Sequence, residues 1–486
     1  MTAIDEKNAC EMLETVKDQS ESDHMDTTNE DDFRRHSKSL VRKLDLTLMP
    51  TIWLLYMFNY LDRNNISQAK LNSLEADLGL KGSHFNTAVS ILNVGYMLMQ
   101  LPSNMIITRV RPSIYLAFWV CVWSCISAST AAAKNYGHLI AIRFLLGIAE
   151  APFFPGVFFL LSCWYTRNEL AFRTAILYSG LVLATAFSGL IAAGVFAGLD
   201  GVRNLAGWRW LFLIEGCASF AIGIAAAFVL PDFPESSTGS VTWLFSSEER
   251  AVAVERMRRD RPSNSDDEHH SVWYGLKLAV TDYRTWIFVV MLIANHTAYG
   301  FNYFYPSIVK GFGLGSNTIT LVLTAPPYLL ATVCALCVAY SSDRLEERGW
   351  HISIPMLAAA IGFVISAATL NIGVRYFASF LFICGCFSAN AGVFSWASST
   401  LNQSPEKKSA AVALINLLSQ LGNIWSPYFF RPQDATRYLL AMLLMMAFAI
   451  LSVSTVFAMK WSLRRANKQI LEAHEGSIER PNLYTT

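Results

Sequence analysis

Residues 139–164 read LIAIRFLLGIAEAPFFPGVFFLLSCW, an apolar run interrupted by two charges, Arg143 and Glu150. About 20 mainly apolar residues cross a bilayer as a helix. The stretch therefore reads as a membrane span with charge in its interior. Working outward, eleven further segments have the same character. The twelve run approximately over 46–67, 84–108, 113–133, 139–164, 173–199, 208–230, 285–310, 318–341, 352–370, 374–401, 410–430 and 437–461.

Composition agrees. The 486 residues are 53% hydrophobic and 15% charged. A soluble domain carries roughly 25% charge, so this chain lacks the charge to coat a water-exposed surface of its size. Its net charge of +1 points to no nucleic-acid partner. The nine cysteines are scattered. Cys334 and Cys337 form a lone CxxC on an apolar helix and read as packing residues rather than a metal or redox pair. No signal peptide is visible, so the first span is expected to direct insertion.

Short-loop Lys and Arg orient the spans. Arg34, Arg35, Lys38, Arg42 and Lys43 precede span one. On the same side fall Arg109, Arg111, Arg167, Arg173, Arg344, Arg348, Lys407, Lys408, Lys460, Arg464, Arg465 and Lys468. The opposite loops carry mostly singletons, such as Lys81, Lys134, Lys310 and Arg375. Both termini are expected in the cytoplasm. The chain divides into an acidic, disordered tail (1–40), six spans (41–230), a linker (231–284), six spans (285–462) and a second tail (463–486). Within the linker, 246–261 can form a short amphipathic helix, read mainly as a solvated connector.

Charge inside a span costs about 2.5–3.5 kcal/mol per side chain at the helix centre on insertion scales. Spans one and four carry the informative cases. Span one contains Tyr60-Leu-Asp62-Arg63-Asn-Asn65. Asp62 lies roughly 24 Å along the helix from Leu46, in the outer half of the membrane. Position alone leaves open that Asp62 and Arg63 merely end the span. In span four, Glu150 is far from either interface, and Arg143 lies on the same helix face, seven residues away. The two could bridge structurally, or the arginines could form an anion site with a carboxylate beside each. Asp62 and Glu150 balance Arg63 and Arg143. A bound carboxylate adds one negative charge, and protonating Asp62 or Glu150 restores neutrality. Arginine suits such a ligand because its planar fork holds carboxylates bidentately.

These segments resemble the major facilitator superfamily and, within it, the anion:cation symporter family, above all fungal permeases of the allantoate, nicotinate and pantothenate type. The resemblance rests on YLDRNNISQAKL (60–71), RFLLGIAEAPFFPGVFFLLSCWY (143–165), GWRWLFLIEG (207–216), PDFPES (231–236) and SDRLEERGW (342–350). It implies an all-α membrane protein whose twelve transmembrane helices form two pseudo-symmetric six-helix bundles, with spans one, four, seven and ten lining a central cavity. Carried over by motif, Tyr60 and Arg63 contact substrate, Asp62 and Glu150 take protons, and Arg143 organises Glu150. On the C-terminal side Asn295, Tyr299, Asn390 and Asn416 are substrate-binding candidates. His296, Asn302, Tyr303, Ser388, Ser395 and Gln420 are polar neighbours. Asp343, Arg344 and Arg348 resemble the superfamily's gating motif, whereas the N-half counterpart, LPSNMIITRVRPS, lacks its aspartate. Glu215 reads as structural. Gly189, Gly194 and Gly198 read as close-packing positions, and the Asn65 sequon lies too deep for use.

The expected activity is proton-coupled symport of a small organic carboxylate by alternating access, in a monomer at the plasma membrane. The proton is the coupling ion, with no other cofactor and no metal. The competing reading is an exporter of a fungal secondary metabolite. A nutrient sensor or membrane enzyme fits less well, because the sequence contains no nucleotide loop, metal constellation or signalling domain.

Overall fold

The computed structural model describes residues 3–107, 110–236, 238–260, 272–435, 437–473 and 484–485. Thr108, Arg109, linker residues 261–271 and most of the tail beyond 473 lie outside them. Eight helices in the described residues are long and apolar enough to cross a membrane. They are Pro112–Ala132, Tyr136–Trp164, Phe172–Leu199, Gly207–Val229, Asn317–Leu345, Gly349–Ala368, Ile372–Thr400 and Leu439–Glu472. They correspond to spans three to six, eight to ten and twelve. Spans one and two lie in Ala3–Ala69 and His84–Ile107. Span seven comes in three pieces, Tyr283–Ala298, Tyr299–Tyr303 and Tyr305–Lys310. Span eleven also has three, Pro405–Ser419, Leu421–Trp425 and Ser426–Phe429.

The four less apolar spans owe their character to their position. Spans one and two carry buried polar side chains such as Asn64, Gln68, Asn86 and Asn93. Spans seven and eleven each break into a 3₁₀ turn. Broken backbone is tolerated at membrane depth where it is buried in protein or lines a cavity. All four spans meet at the seam between the two bundles. Span four is also interrupted, between Tyr136–Glu150 and Phe153–Trp164. Pro152 and Pro155 remove backbone donors there and bend the chain. Glu150 therefore ends the first piece.

Spans two and four meet backbone to backbone. A Cβ on Gly147 would lie 2.0 Å from the Leu92 carbonyl oxygen, and one on Gly95 would lie 2.4 Å from that of Phe144. Such small-residue contacts are the normal means of helix approach in a bilayer. The glycines predicted in span five divide. Gly189 packs against Thr324 and Leu321 of span eight, whereas Gly194 and Gly198 face open space.

The hydrogen bonds joining the bundles, among the described residues, cluster at the end remote from the linker. Asn86 Nδ2 donates to the Phe430 carbonyl at 3.1 Å, and Ser90 Oγ to that of Ile424 at 2.7 Å. Asn317 Nδ2 reaches the Leu71 carbonyl at 2.8 Å. Phe85 meets Phe304 edge to face with centroids 5.7 Å apart, and Lys70 lies 5.5 Å from the Phe304 ring. This end is closed.

The linker end is organised by ion pairs within each half. The predicted connector helix forms over Ser247–Asp260. It is not merely solvated: Ala253 and Arg256 are buried. Lys43 Nζ pairs with Glu249 at 2.7 Å, and Arg256 with Glu169 at 2.6 Å. The segment expected to be disordered, 1–40, enters the helix Ala3–Ala69. Leu40, Leu44 and Leu48 are buried at four-residue spacing, so one helix face has a surface to pack on. Burial pushes the Glu249 carboxyl up, but Lys43, the Ser246 N–H and the Ser39 hydroxyl outweigh it and hold it below its usual range. Docking energy from Glu249 is therefore present above the ordinary glutamate value of about 4.3 and is lost as pH falls through the depressed one. Limited proteolysis should cut the linker faster on acidification below that value, and faster at neutral pH in Glu249→Gln. A cleavage rate unmoved by either change would rule out this anchor.

Candidate functional site

The bundles enclose a cavity with about 1280 Å³ of empty space, part of it open to solvent. It extends toward the end bearing the linker and termini, past Ala175, Ser179, Leu336 and Ala339. Its ceiling is a hydrogen-bonded chain across both halves. Asn64 Nδ2 donates to Thr185 Oγ1 at 3.1 Å, Asn302 Nδ2 to Asn64 Oδ1 at 3.4 Å, and Tyr328 OH to Asn302 Oδ1 at 2.8 Å.

Span one presents Tyr56, Asn59, Tyr60 and Arg63 to this space. These occupy positions i, i+3, i+4 and i+7, one face of a helix. Arg63 donates through Nε to Glu150 Oε2. Its guanidinium also lies 5.2 Å from the Tyr60 ring centroid and 4.8 Å from that of Tyr96, within cation–π range. Arg63 is 8% exposed and Glu150 1%. The second Glu150 oxygen, Oε1, has no hydrogen-bond partner.

Two predicted members of the charged set face elsewhere. Asp62 is absent from the cavity lining. One residue along a helix turns the side chain by about 100°, so Asp62 points away from Arg63 into the N-terminal bundle. It accepts from Ser127 Oγ at 2.6 Å and Ser219 Oγ at 3.0 Å, on spans three and six. Arg143 also lies behind the wall. It is 1% exposed and its Nε donates to the Ala88 carbonyl at 3.3 Å, while its two terminal nitrogens have no hydrogen-bond partner. The anion-site candidate in the cavity therefore holds one arginine, not two.

On the C-terminal side the cavity is lined by three of the candidates, Tyr299, Asn390 and Asn416. Asn295 is the exception: it is buried, lines no part of the cavity, and both its amide atoms lack partners. His296, its neighbour, does line the cavity. His296 Nδ1 lies 3.1 Å from the Ser419 carbonyl oxygen. A carbonyl only accepts, so Nδ1 carries a proton, and in the neutral ring Nε2 is the acceptor. Tyr96 and Asn93 of span two and Tyr178 of span five complete a largely aromatic wall that sequence reading missed. They are ordinary span residues with no charge to flag them.

The gating elements are rearranged. Arg348 pairs with Asp343 at 2.7 Å, while Arg344 is exposed and meets no ion-pair partner among the described residues. The stronger clasp uses Glu347, which accepts from Lys460 Nζ at 2.5 Å, the Trp350 N–H at 2.9 Å and His351 Nδ1 at 3.1 Å. Burial raises the Glu347 carboxyl, and Lys460, Trp350 and His351 more than reverse this. In the N-half the missing aspartate is replaced from a distance. Asp232, in PDFPES, accepts from Arg111 Nε at 2.9 Å, Ser113 Oγ at 2.5 Å and Thr238 Oγ1 at 2.9 Å.

The family model described as "Major Facilitator Superfamily" matches residues 52–427. The chain belongs to the Major Facilitator Superfamily. Among its relatives, the MFS-type transporter cnsO of Penicillium expansum is 36% identical, over 92% of this chain and 87% of that protein. The major facilitator-type transporter hxnP of Emericella nidulans is 33% identical, over 82% and 80%. A putative tartrate transporter of Agrobacterium vitis is 32% identical, over 80% and 86%. Among solved structures, a bacterial homolog of the human lysosomal transporter Spinster, inward-facing and unoccupied, superposes with a TM-score of 0.69 at 14% identity. It covers 87% of this chain and 96% of its own, and shows the shared fold. The chain is thus a multi-pass membrane transporter of this superfamily.

Proposed function

We propose that this transporter is a proton-coupled symporter of a small organic carboxylate, of the anion:cation symporter type. The observation that carries the reading is the charge of the cavity wall. Among the described lining residues, Arg63 and Glu150 are the two with permanent-type charges, and they are paired with each other. A carboxylate entering from the linker end competes with Glu150 for Arg63. If it takes Arg63, Glu150 is left as an unpaired buried anion, which is costly. A proton on Glu150 removes that cost. Substrate and proton therefore favour one another's binding, which is thermodynamic coupling.

The aromatic wall of Tyr60, Tyr96, Tyr178 and Tyr299 suits a flat or ring-bearing acid. The tartrate transporter among the relatives supports a carboxylate cargo. With the Lys- and Arg-rich end in the cytoplasm, the cavity faces inward, and both termini lie inside, most simply at the plasma membrane. Two six-span bundles then rock around Arg63, with the Asp232 and Glu347 clasps holding helix ends on the inner side. The second reading, export of a metabolite, is favoured by the aromatic lining of the cavity, which a two- or three-carbon acid does not need.

The test is uptake into proteoliposomes of nicotinate, pantothenate, biotin, allantoate and short hydroxy acids, each beside its neutral amide. Accumulation of an acid, but not its amide, under an inward proton gradient is expected. Transport of neutral amides as fast as acids would sink the carboxylate reading. Loss of preloaded substrate driven only by an inward proton gradient would establish the exporter.

A further inference from the structure

Behind span one lies a buried polar cluster that the cavity does not reach. Glu215 of span six is 2% exposed and Asn65 of span one is fully buried. Asn65 Nδ2 donates to Glu215 Oε2 at 2.7 Å. The other two heteroatoms of the pair, Glu215 Oε1 and Asn65 Oδ1, are buried and have no partner. With an ionised carboxyl both are bare acceptors, and unmet buried acceptors are costly. A single proton removes both defects. Glu215 Oε1–H donates to Asn65 Oδ1 while Asn65 Nδ2–H continues to donate to Glu215 Oε2. Acid and amide then close a ring of two hydrogen bonds, one in each direction.

The charge around the cluster calls for the same proton. Asp62 and Asn65 are three residues apart on one face of span one, and Glu215 and Ser219 are four apart on the facing side of span six. Ser219 binds Asp62, and Asn65 binds Glu215, so the two carboxyls are neighbours. Asp62 is the charged group acting on Glu215. Span three contributes only neutral groups to the cluster, Ser127 on Asp62 and the indole of Trp123. From span four, Arg143 and Glu150 act on Asp62 through space with opposite signs, while their own bonds go to Ala88 and Arg63. Among the described residues, no cation bonds either carboxyl. Neighbouring buried carboxyls with no cation bonded to either one do not both ionise.

We propose that Glu215 carries a resident proton, held in an acid–amide ring with Asn65, leaving Asp62 as the ionised member of the pair. Spans one, four and six bring three acids and two arginines into the bundle interior. A neutral Glu215 restores the count to two and two. This proton is stored, not transported, so the inference does not depend on the cargo. It also gives the glutamate of GWRWLFLIEG a function as a positioning residue that fixes the charge balance around span one.

Glu215→Gln tests it, because a primary amide supplies the same two hydrogen bonds as the protonated acid. The expected infrared difference, wild type minus Glu215→Gln in liposomes at neutral pH, contains a carboxylic-acid C=O band that shifts down in D₂O. The variant should melt at the wild-type temperature. Carboxylate stretching bands in place of the acid band would show an ionised Glu215 and overturn the proposal. A variant that melts well below wild type, or fails to fold, would overturn it too, because the amide would then not substitute for the native group. Asn65→Leu is the control for the ring: the acid band should move to higher frequency, and an unmoved band would exclude the amide as its partner.

Discussion

Replacing Arg63 by alanine is expected to abolish carboxylate binding and uptake while leaving the fold assembled. Truncating one partner of a buried, hydrogen-bonded charge pair costs about 2–5 kcal/mol, roughly thirtyfold to a few thousandfold in affinity. In the empty transporter the cost falls on Glu150, which loses its partner and can relieve it by taking a proton. With substrate present, no such relief exists. Arg63 is the cavity's permanent cation among the described lining residues, and a bound carboxylate would then face Tyr60 and Tyr96 with no counter-charge. Arg63→Lys should recover only part of the loss. A lysine keeps the charge but not the planar fork or the stacking on two tyrosines. Binding of the acid identified in the uptake panel, measured by isothermal titration in detergent, checks both variants. Wild-type affinity in Arg63→Ala would show that the anion binds elsewhere.

Both variants depend on a feature visible in sequence only in part. Twelve spans were legible because hydrophobic length is a strong signal, and the bilayer forces each span to satisfy its own backbone. Even so, spans seven and eleven break where hydropathy suggests continuous helices, because Tyr299–Tyr303 and Ser426–Phe429 sit at the seam between bundles. The charged residues were equally legible, since charge at membrane depth is rare. Their facing was less so. Asp62 and Arg63 are adjacent, and motif resemblance assigned both to one site. Helical phase separates them: Arg63 continues the Tyr56, Asn59, Tyr60 face, whereas Asp62 shares a face with Asn65. That phase was readable in the sequence. The partners of Asp62 were not, because Ser127 and Ser219 are unremarkable residues of spans three and six. Asp232 makes the same point at the membrane edge. The acid missing from the loop after span two comes from a segment 121 residues further along the chain. No local motif could have announced it.

Glu150→Gln separates binding from coupling. The glutamine is neutral and isosteric, so it no longer competes with substrate for Arg63 through charge. Binding of the carboxylate should therefore persist, and tighten where Glu150 competes in the wild type. Coupling should not persist. For one proton carried with one monoanion, a gradient of two pH units sets an accumulation limit of about a hundredfold, because each unit is a factor of ten. Wild-type proteoliposomes should approach that limit, whereas Glu150→Gln should only equilibrate the label across the membrane. Asp62→Asn makes the sharper comparison, because Asp62 is remote from the cavity and bonded only to serines among the described residues. It should retain carboxylate binding whichever acid carries the proton. If Glu150→Gln still accumulates substrate and Asp62→Asn does not, the transported proton travels on the far side of span one. Arg63 and Glu150 would then recognise the anion without coupling it.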